Sequence, residues 1–176
     1  MPDEDLPKLT LVLGGVASGK SAFAERLAVR SGRPRRYIAT AQPFDDEMRE
    51  KIAAHRAQRG PDWTTVEAPL DLCGALEMAT GDEAVLLDCA TVWLGNMLHH
   101  GRDLEREFAR LENGLAACAA PVLVVSNEVG MGGIAATQDA RQFANAQGRL
   151  NQRLAARSDQ VFMVIAGCPI RLKGAP

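Results

Sequence analysis

The chain has 176 residues, 47% of them hydrophobic and 24% charged, and a formal net charge of -2. That length can bury a substantial core, and that composition belongs to a globular protein rather than a disordered one. A slightly acidic balance with 5% aromatic residues argues against a nucleic-acid binder or an anionic-lipid binder, and no apolar run is long enough to span a bilayer.

The first seven residues, MPDEDLP, are acidic, lack the basic and apolar pattern of a signal peptide, and are expected to form a flexible tail. From there short β-type runs alternate with helical stretches. A strand is expected at 9–13, then a Gly-rich turn and a helix over about 20–30. A second strand at 36–40 leads into a helix over about 45–59, stopped by Gly60 and Pro61. A weak strand at 64–67 precedes a helical stretch that begins near Pro69. Residues 84–88 and 121–126 are near-continuous apolar runs, the mark of strands buried on both faces. A long helix over about 139–156 and a strand at 160–166 complete the pattern. This alternation predicts an α/β fold, a mainly parallel sheet with helices on both faces, in one domain over 8–176. Cys73, Cys89, Cys118 and Cys168 have no metal-ligand spacing and read as reduced thiols of a cytoplasmic protein, most of them packed as small apolar residues.

Residues 14–21, namely Gly14, Gly15, Val16, Ala17, Ser18, Gly19, Lys20 and Ser21, match the pattern G-x-x-x-x-G-K-[ST] in full. The match falls between a strand and a helix, where the chemistry requires it. Glycines let backbone N–H groups turn toward phosphate oxygens, and the helix N-terminus adds partial positive charge. Lys20 is expected to reach the β/γ-phosphates of a nucleoside triphosphate, and the Ser21 hydroxyl to ligate Mg²⁺. Asp88, at the end of a buried strand, fits a second Mg²⁺-holding position or a helix N-cap. Asn127 and Glu128 end the next buried strand and are expected on the same sheet edge.

On the helix expected at 45–59, Met48, Ile52 and His55 share one face, with Arg59 one turn beyond His55. Such a histidine is either a structural residue or a nucleophile toward phosphorus beside a phosphate-neutralising arginine. His99 and His100 are expected at the solvated end of a helix.

With these segments placed, the chain resembles the bifunctional adenosylcobinamide kinase / adenosylcobinamide-phosphate guanylyltransferase family of cobalamin biosynthesis. The resemblance runs from about residue 9 to residue 173. It rests on the P-loop, on Tyr37 to Thr40, on Asp45 to Met48 followed by His55 and Arg56, and on Trp63 to Glu67. Residues 87–96, 126–133 and 148–154 continue the series in order. It implies a RecA-like P-loop fold and a homo-oligomer, a trimer in this family. The implied reactions are phosphorylation of adenosylcobinamide by ATP or GTP, then transfer of GMP from GTP to that phosphate through a guanylylated histidine, which aligns with His55. The family's nucleotide contacts align with the P-loop, with Ala39, Thr40 and Ala41, with Arg56, Ala57, Gln58 and Arg59, and with Glu67 and Asp88. A carboxylate such as Glu67 can accept from the N1–H and N2–H₂ donors of guanine. One departure is Ala17, where the family usually carries arginine. The alternatives are a plain P-loop small-molecule kinase with a structural His55, and a GTPase-like switch. The second lacks its guanine-reading Asn-Lys-x-Asp pattern, because Asn127 is followed by Glu-Val-Gly.

Overall fold

The computed structural model describes residues 6–42 and 61–175. The elements run β1 (Leu9–Gly14), α1 (Lys20–Arg30), β2 (Arg35–Ala39), β3 (Trp63–Glu67), α2 (Leu72–Glu77) and β4 (Ala84–Asp88). They continue with α3 (Ala90–His99), α4 (Leu104–Ala117), β5 (Val122–Asn127), α5 (Gln138–Arg157), β6 (Gln160–Ile165) and β7 (Cys168–Lys173). One seven-stranded sheet has the order β3-β2-β4-β5-β1-β6-β7. All neighbours pair in parallel except β6 and β7, which are antiparallel.

The expected strands and the helices at 20–30 and 139–156 are present within about two residues, the usual uncertainty of element ends. The helix expected at 45–59 lies outside the described residues. Strand β7 is an addition to the sequence reading. All six of its residues are exposed, so it shows no inward-facing apolar alternation, and Pro169 sits on it as proline does on an edge strand. A two-residue turn at Ala166 and Gly167, with φ of 51° and 77°, connects it to β6.

Side-chain alternation divides the core into two layers. Val12, Leu86, Leu123, Val125, Phe162 and Val164 pack with Phe23, Ala24 and Ala28 of α1 on one face. On the other face Leu11, Leu13, Ile38, Leu87 and Val124 pack against α2, α3, α4 and α5, through residues such as Leu76, Trp93, Phe108 and Leu150. Phe108 and Trp93 are almost fully buried, each contributing about 1.5–3 kcal/mol by leaving water. The Trp93 indole N–H donates to the Leu70 carbonyl at 3.1 Å.

Glu112 of α4 binds Arg153 and Arg157 of α5, the latter at 2.9 Å. The Arg153 guanidinium and then Arg157 outweigh burial and hold the Glu112 carboxyl below its ordinary range. A carboxyl whose folded value is depressed contributes stability fully above its unfolded value and loses it as pH falls through the folded one. Glu112→Gln is therefore expected to destabilise the fold by about 1–3 kcal/mol at neutral pH. In denaturant titrations the gap to the parent should stay constant down to about pH 4.5 and close below it.

Candidate active site

The phosphate-binding loop leaves β1 at Gly14 and enters α1 at Lys20. Gly14 has no room for a side chain, since a Cβ there would stand 2.7 Å from the Val164 carbonyl oxygen and collide with the Ser18 hydroxyl. Gly19, at φ 90°, begins α1 without a side-chain cap, and the first turn carries no acidic residue. The N–H groups at this helix end thus face outward with no carboxylate competing for an anion. The loop closes on itself through Ser18 N–H to the Gly15 carbonyl at 3.3 Å. Lys20 Nζ donates to the same Gly15 oxygen at 3.1 Å. Ala17 takes a left-handed φ of 56°, and Val16 stands exposed at the tip. The β6–β7 turn supports the loop from behind, with Gly167 N–H on the Ser18 carbonyl at 2.8 Å.

Register places the other groups. Gly14 pairs with Asn127 across β1 and β5, and Ala39 of β2 pairs with Asp88 on one side and Glu67 on the other. Each of these shares the strand parity of the α1-side core residues, namely Val12, Val125, Leu86, Tyr37 and Trp63. Gly14, Asn127, Asp88, Ala39 and Glu67 therefore form a row along the C-terminal edge of the parallel strands, on the α1 face. Strands β1 and β5 are adjacent, and the helices that follow them lie on opposite faces. The sheet switches direction there, and its crevice opens at Gly14.

Asp88 is part-exposed and accepts from the Tyr37 hydroxyl at 3.2 Å on Oδ2. The helix N-cap of α3 is not Asp88 but Cys89, whose sulfur accepts from Val92 N–H at 3.5 Å. Behind this strand end, on the opposite face, Thr40 is fully buried. Its hydroxyl donates to the Cys89 carbonyl at 2.9 Å and accepts from the Cys89 N–H at 2.8 Å. The Asn96 amide fixes Thr40 in turn, donating to the carbonyls of Thr40 and Pro69, both at 2.9 Å. A second clamp holds the end of β5, where Thr91, Gln147 and Asn151 gather around Ser126.

Of the sequence-predicted residues, the P-loop, Ala39, Glu67 and Asp88 come together on one edge, with Glu67 exposed at its far end. Ala41 lies just beyond β2, half-buried. His55 and its neighbours Arg56, Ala57, Gln58 and Arg59 lie outside the described residues. Among the described residues no group of three His, Cys, Asp or Glu side chains could hold a metal. The Glu128 carboxylate turns back to the N–H groups of Gly130 and Met131. His99 and His100 are exposed at the end of α3, as expected. The clamps of Tyr37, Asn96, Ser126, Gln147 and Asn151 escaped the sequence reading. Only Ser126 stands at a strand end, while Tyr37 lies within β2 and Asn96, Gln147 and Asn151 lie on helices, so no local pattern marks the set.

A Gly-rich strand–turn–helix at the switch point of a parallel sheet, with a carboxylate at the next-but-one strand end, defines a P-loop nucleotide-binding protein. Solved structures agree on the fold. The RadB recombinase covers 90% of this chain and 74% of its own at TM-score 0.52 and 18% identity. The flagellar accessory protein FlaH from Methanocaldococcus jannaschii covers 96% and 80% at TM-score 0.52 and 10% identity. The sequence profile of the cobinamide kinase / cobinamide phosphate guanyltransferase enzymes matches residues 10–172, and the chain belongs to that family. The bifunctional adenosylcobalamin biosynthesis protein CobP of Pseudomonas aeruginosa is 41% identical over 169 residues, covering 94% of this chain and 98% of that one. The protein CobU of Salmonella typhimurium, named for the same bifunctional role, is 37% identical over 182 residues, covering 94% and 99%.

Two outcomes follow from the surroundings of Cys89. Thr40→Val strands the Cys89 N–H and carbonyl in the interior, so it should cost about 1–3 kcal/mol for each group left unpaired. Denaturant unfolding would show this, and Thr40→Ser should recover most of it. Burial, and then the Asp88 carboxylate, push the Cys89 thiol up to about 11. At pH 8 a thiol reagent should therefore modify exposed Cys168 in the native protein. It should reach the buried Cys89 and Cys118 only after unfolding.

Proposed function

We propose that this protein phosphorylates the aminopropanol hydroxyl of adenosylcobinamide with ATP or GTP. It then moves GMP from GTP onto the new phosphate, releasing pyrophosphate and giving adenosylcobinamide-GDP. The observation that carries this reading is the coincidence of the P-loop, the strand switch and the row through Asp88 in a chain whose family match spans residues 10–172.

In the kinase step Lys20 neutralises charge on the γ-phosphoryl group as it moves to the corrinoid hydroxyl. Ser21 and Asp88 would hold Mg²⁺, which supplies Lewis-acid stabilisation to the phosphates. The half-exposed Asp88 carboxylate, with Tyr37 on one oxygen, suits an ion that keeps most of its ligands as water and phosphate. In the guanylyl step the neutral His55 imidazole attacks the α-phosphorus, so that an N–P bond forms as the bond to pyrophosphate breaks. A phosphate oxygen of the phosphorylated corrinoid then attacks that phosphorus, and the N–P bond breaks to free His55. Ala39, Ala41 and residues 56–59 line the nucleotide, whereas Thr40, wholly buried on the other face, supports them from behind; Glu67, exposed at the end of β3, accepts from the guanine N1–H and N2–H₂. The catalytic unit is a single domain over 8–176 that works in the cytoplasm as a homo-oligomer, a trimer by family resemblance. Among the described residues no helix is long and apolar enough to cross a membrane.

The test is intact mass of the protein after incubation with GTP and Mg²⁺, beside the same incubation with ATP. An acid-labile gain of one GMP from GTP, absent in His55→Ala, is expected. No adduct from folded protein that binds GTP would sink the guanylyl-histidine and leave a plain small-molecule kinase.

A further inference from the structure

Asn127 ends β5 beside Gly14, and its backbone is held from two directions. Its N–H donates to the Thr91 hydroxyl of α3 at 2.7 Å, and its carbonyl accepts from the Asn151 amide of α5 at 3.0 Å. Asn151 is itself fixed by Ser126 at 2.7 Å and by the fully buried Gln147 at 2.9 Å. Helices on the far face of the sheet therefore set where this residue stands. Its side chain is treated in the opposite way. The Asn127 Oδ1 is shielded from solvent and has no hydrogen-bond partner among the described residues, although buried amides are ordinarily paired.

Strand parity sends this side chain to the α1 face, where Leu123 and Val125 precede it. Its register partner is the first P-loop glycine, and Lys20 Nζ rests on the next one, Gly15. A P-loop lysine marks the β/γ end of a bound triphosphate. The neighbouring Glu128 is no competitor for that position, because its carboxylate is engaged by Gly130 and Met131 N–H at 2.9 and 3.3 Å.

We propose that the Asn127 carboxamide contacts the terminal phosphate of the bound nucleotide and distinguishes a triphosphate from a diphosphate. The inference rests on the nucleotide reading above. A carboxamide suits the place: its N–H₂ donates to a phosphate oxygen without adding negative charge, and its oxygen can accept from the hydroxyl that receives the phosphoryl group. Asn151 acts as a positioning residue that holds Asn127 by its backbone.

The test compares the parent protein with Asn127→Ala and Asn127→Asp by calorimetric titration with Mg·GDP and with the β,γ-imido analogue of Mg·GTP. Asn127→Ala should weaken the triphosphate analogue about tenfold and leave GDP within about twofold. Asn127→Asp should lose more on the triphosphate, because its carboxylate faces the phosphate charge. Thermal unfolding of Asn127→Ala should match the parent, since the Asn127 Oδ1 has no hydrogen-bond partner among the described residues. Equal loss for both nucleotides, which leaves the ratio between them unchanged, or a fall in the unfolding temperature of Asn127→Ala would each overturn the assignment. A parent protein that binds neither nucleotide would overturn the nucleotide reading itself, whereas a parent that discriminates beside an Asn127→Ala variant that still does overturns Asn127 alone.

Discussion

Side chains alternate along a strand with a period of two, and in-register parallel pairing carries that alternation from one strand to the next. In this sheet the rule sorts chemistry from support. Residues in phase with Val12 and Leu86 face α1 and end in Gly14, Asn127, Asp88 and Glu67. Residues in the other phase face the four remaining described helices and end in Thr40 and Ser126, which are wholly buried. A one-residue slip in β4 or β5 would exchange the two sets, so the phosphate-facing groups depend on registers fixed by the apolar runs of both strands.

The buried side of that edge is polar, which is unusual ground for a core. Thr40, Asn96, Thr91, Ser126, Gln147 and Asn151 sit where apolar side chains would have packed more simply. What they gain is direction, because each hydrogen bond fixes an angle as well as a distance. Thr40 grips the residue after Asp88 by both its N–H and its carbonyl, and Thr91 and Asn151 grip Asn127 in the same manner. The strand tips are thus oriented by backbone contacts made from below, which leaves the Asn127 Oδ1 without a partner among the described residues and Asp88 with Tyr37 on one oxygen.

Much of this was legible in the sequence, and the reasons are local. The P-loop announces itself because glycine at 14 and 19 answers two backbone demands, a close approach and a positive φ, that few other residues meet. Buried β4 and β5 were visible as uninterrupted apolar runs, and Asp88 followed from the end of one of them. β7 was not visible, since an exposed edge strand with a proline carries no inward stripe. Of the two readings of Asp88, the helix N-cap belongs instead to Cys89, a one-residue difference of the kind that propensity cannot resolve. The clamps were invisible as well: a buried Thr or Ser at a strand end looks like a turn residue until its partners, some 20–56 residues away in sequence, are known. His55 rests on family resemblance, because periodicity alone leaves a structural and a catalytic histidine equal.

Strand β1 lies between β5 and β6, so the first strand made is finished by two of the last three. The Ser18 carbonyl, moreover, finds its donor in Gly167, nine residues short of the C-terminus of the chain. During synthesis the phosphate cradle cannot assume its final shape until Gly167 has left the ribosome. At about 5–20 residues per second that is a delay of roughly seven to thirty seconds after the loop itself is translated. Nucleotide capture is in this sense a signal that translation has passed the β6–β7 turn, and a chain cut before β5 would carry every residue of the loop without the strands that flank it.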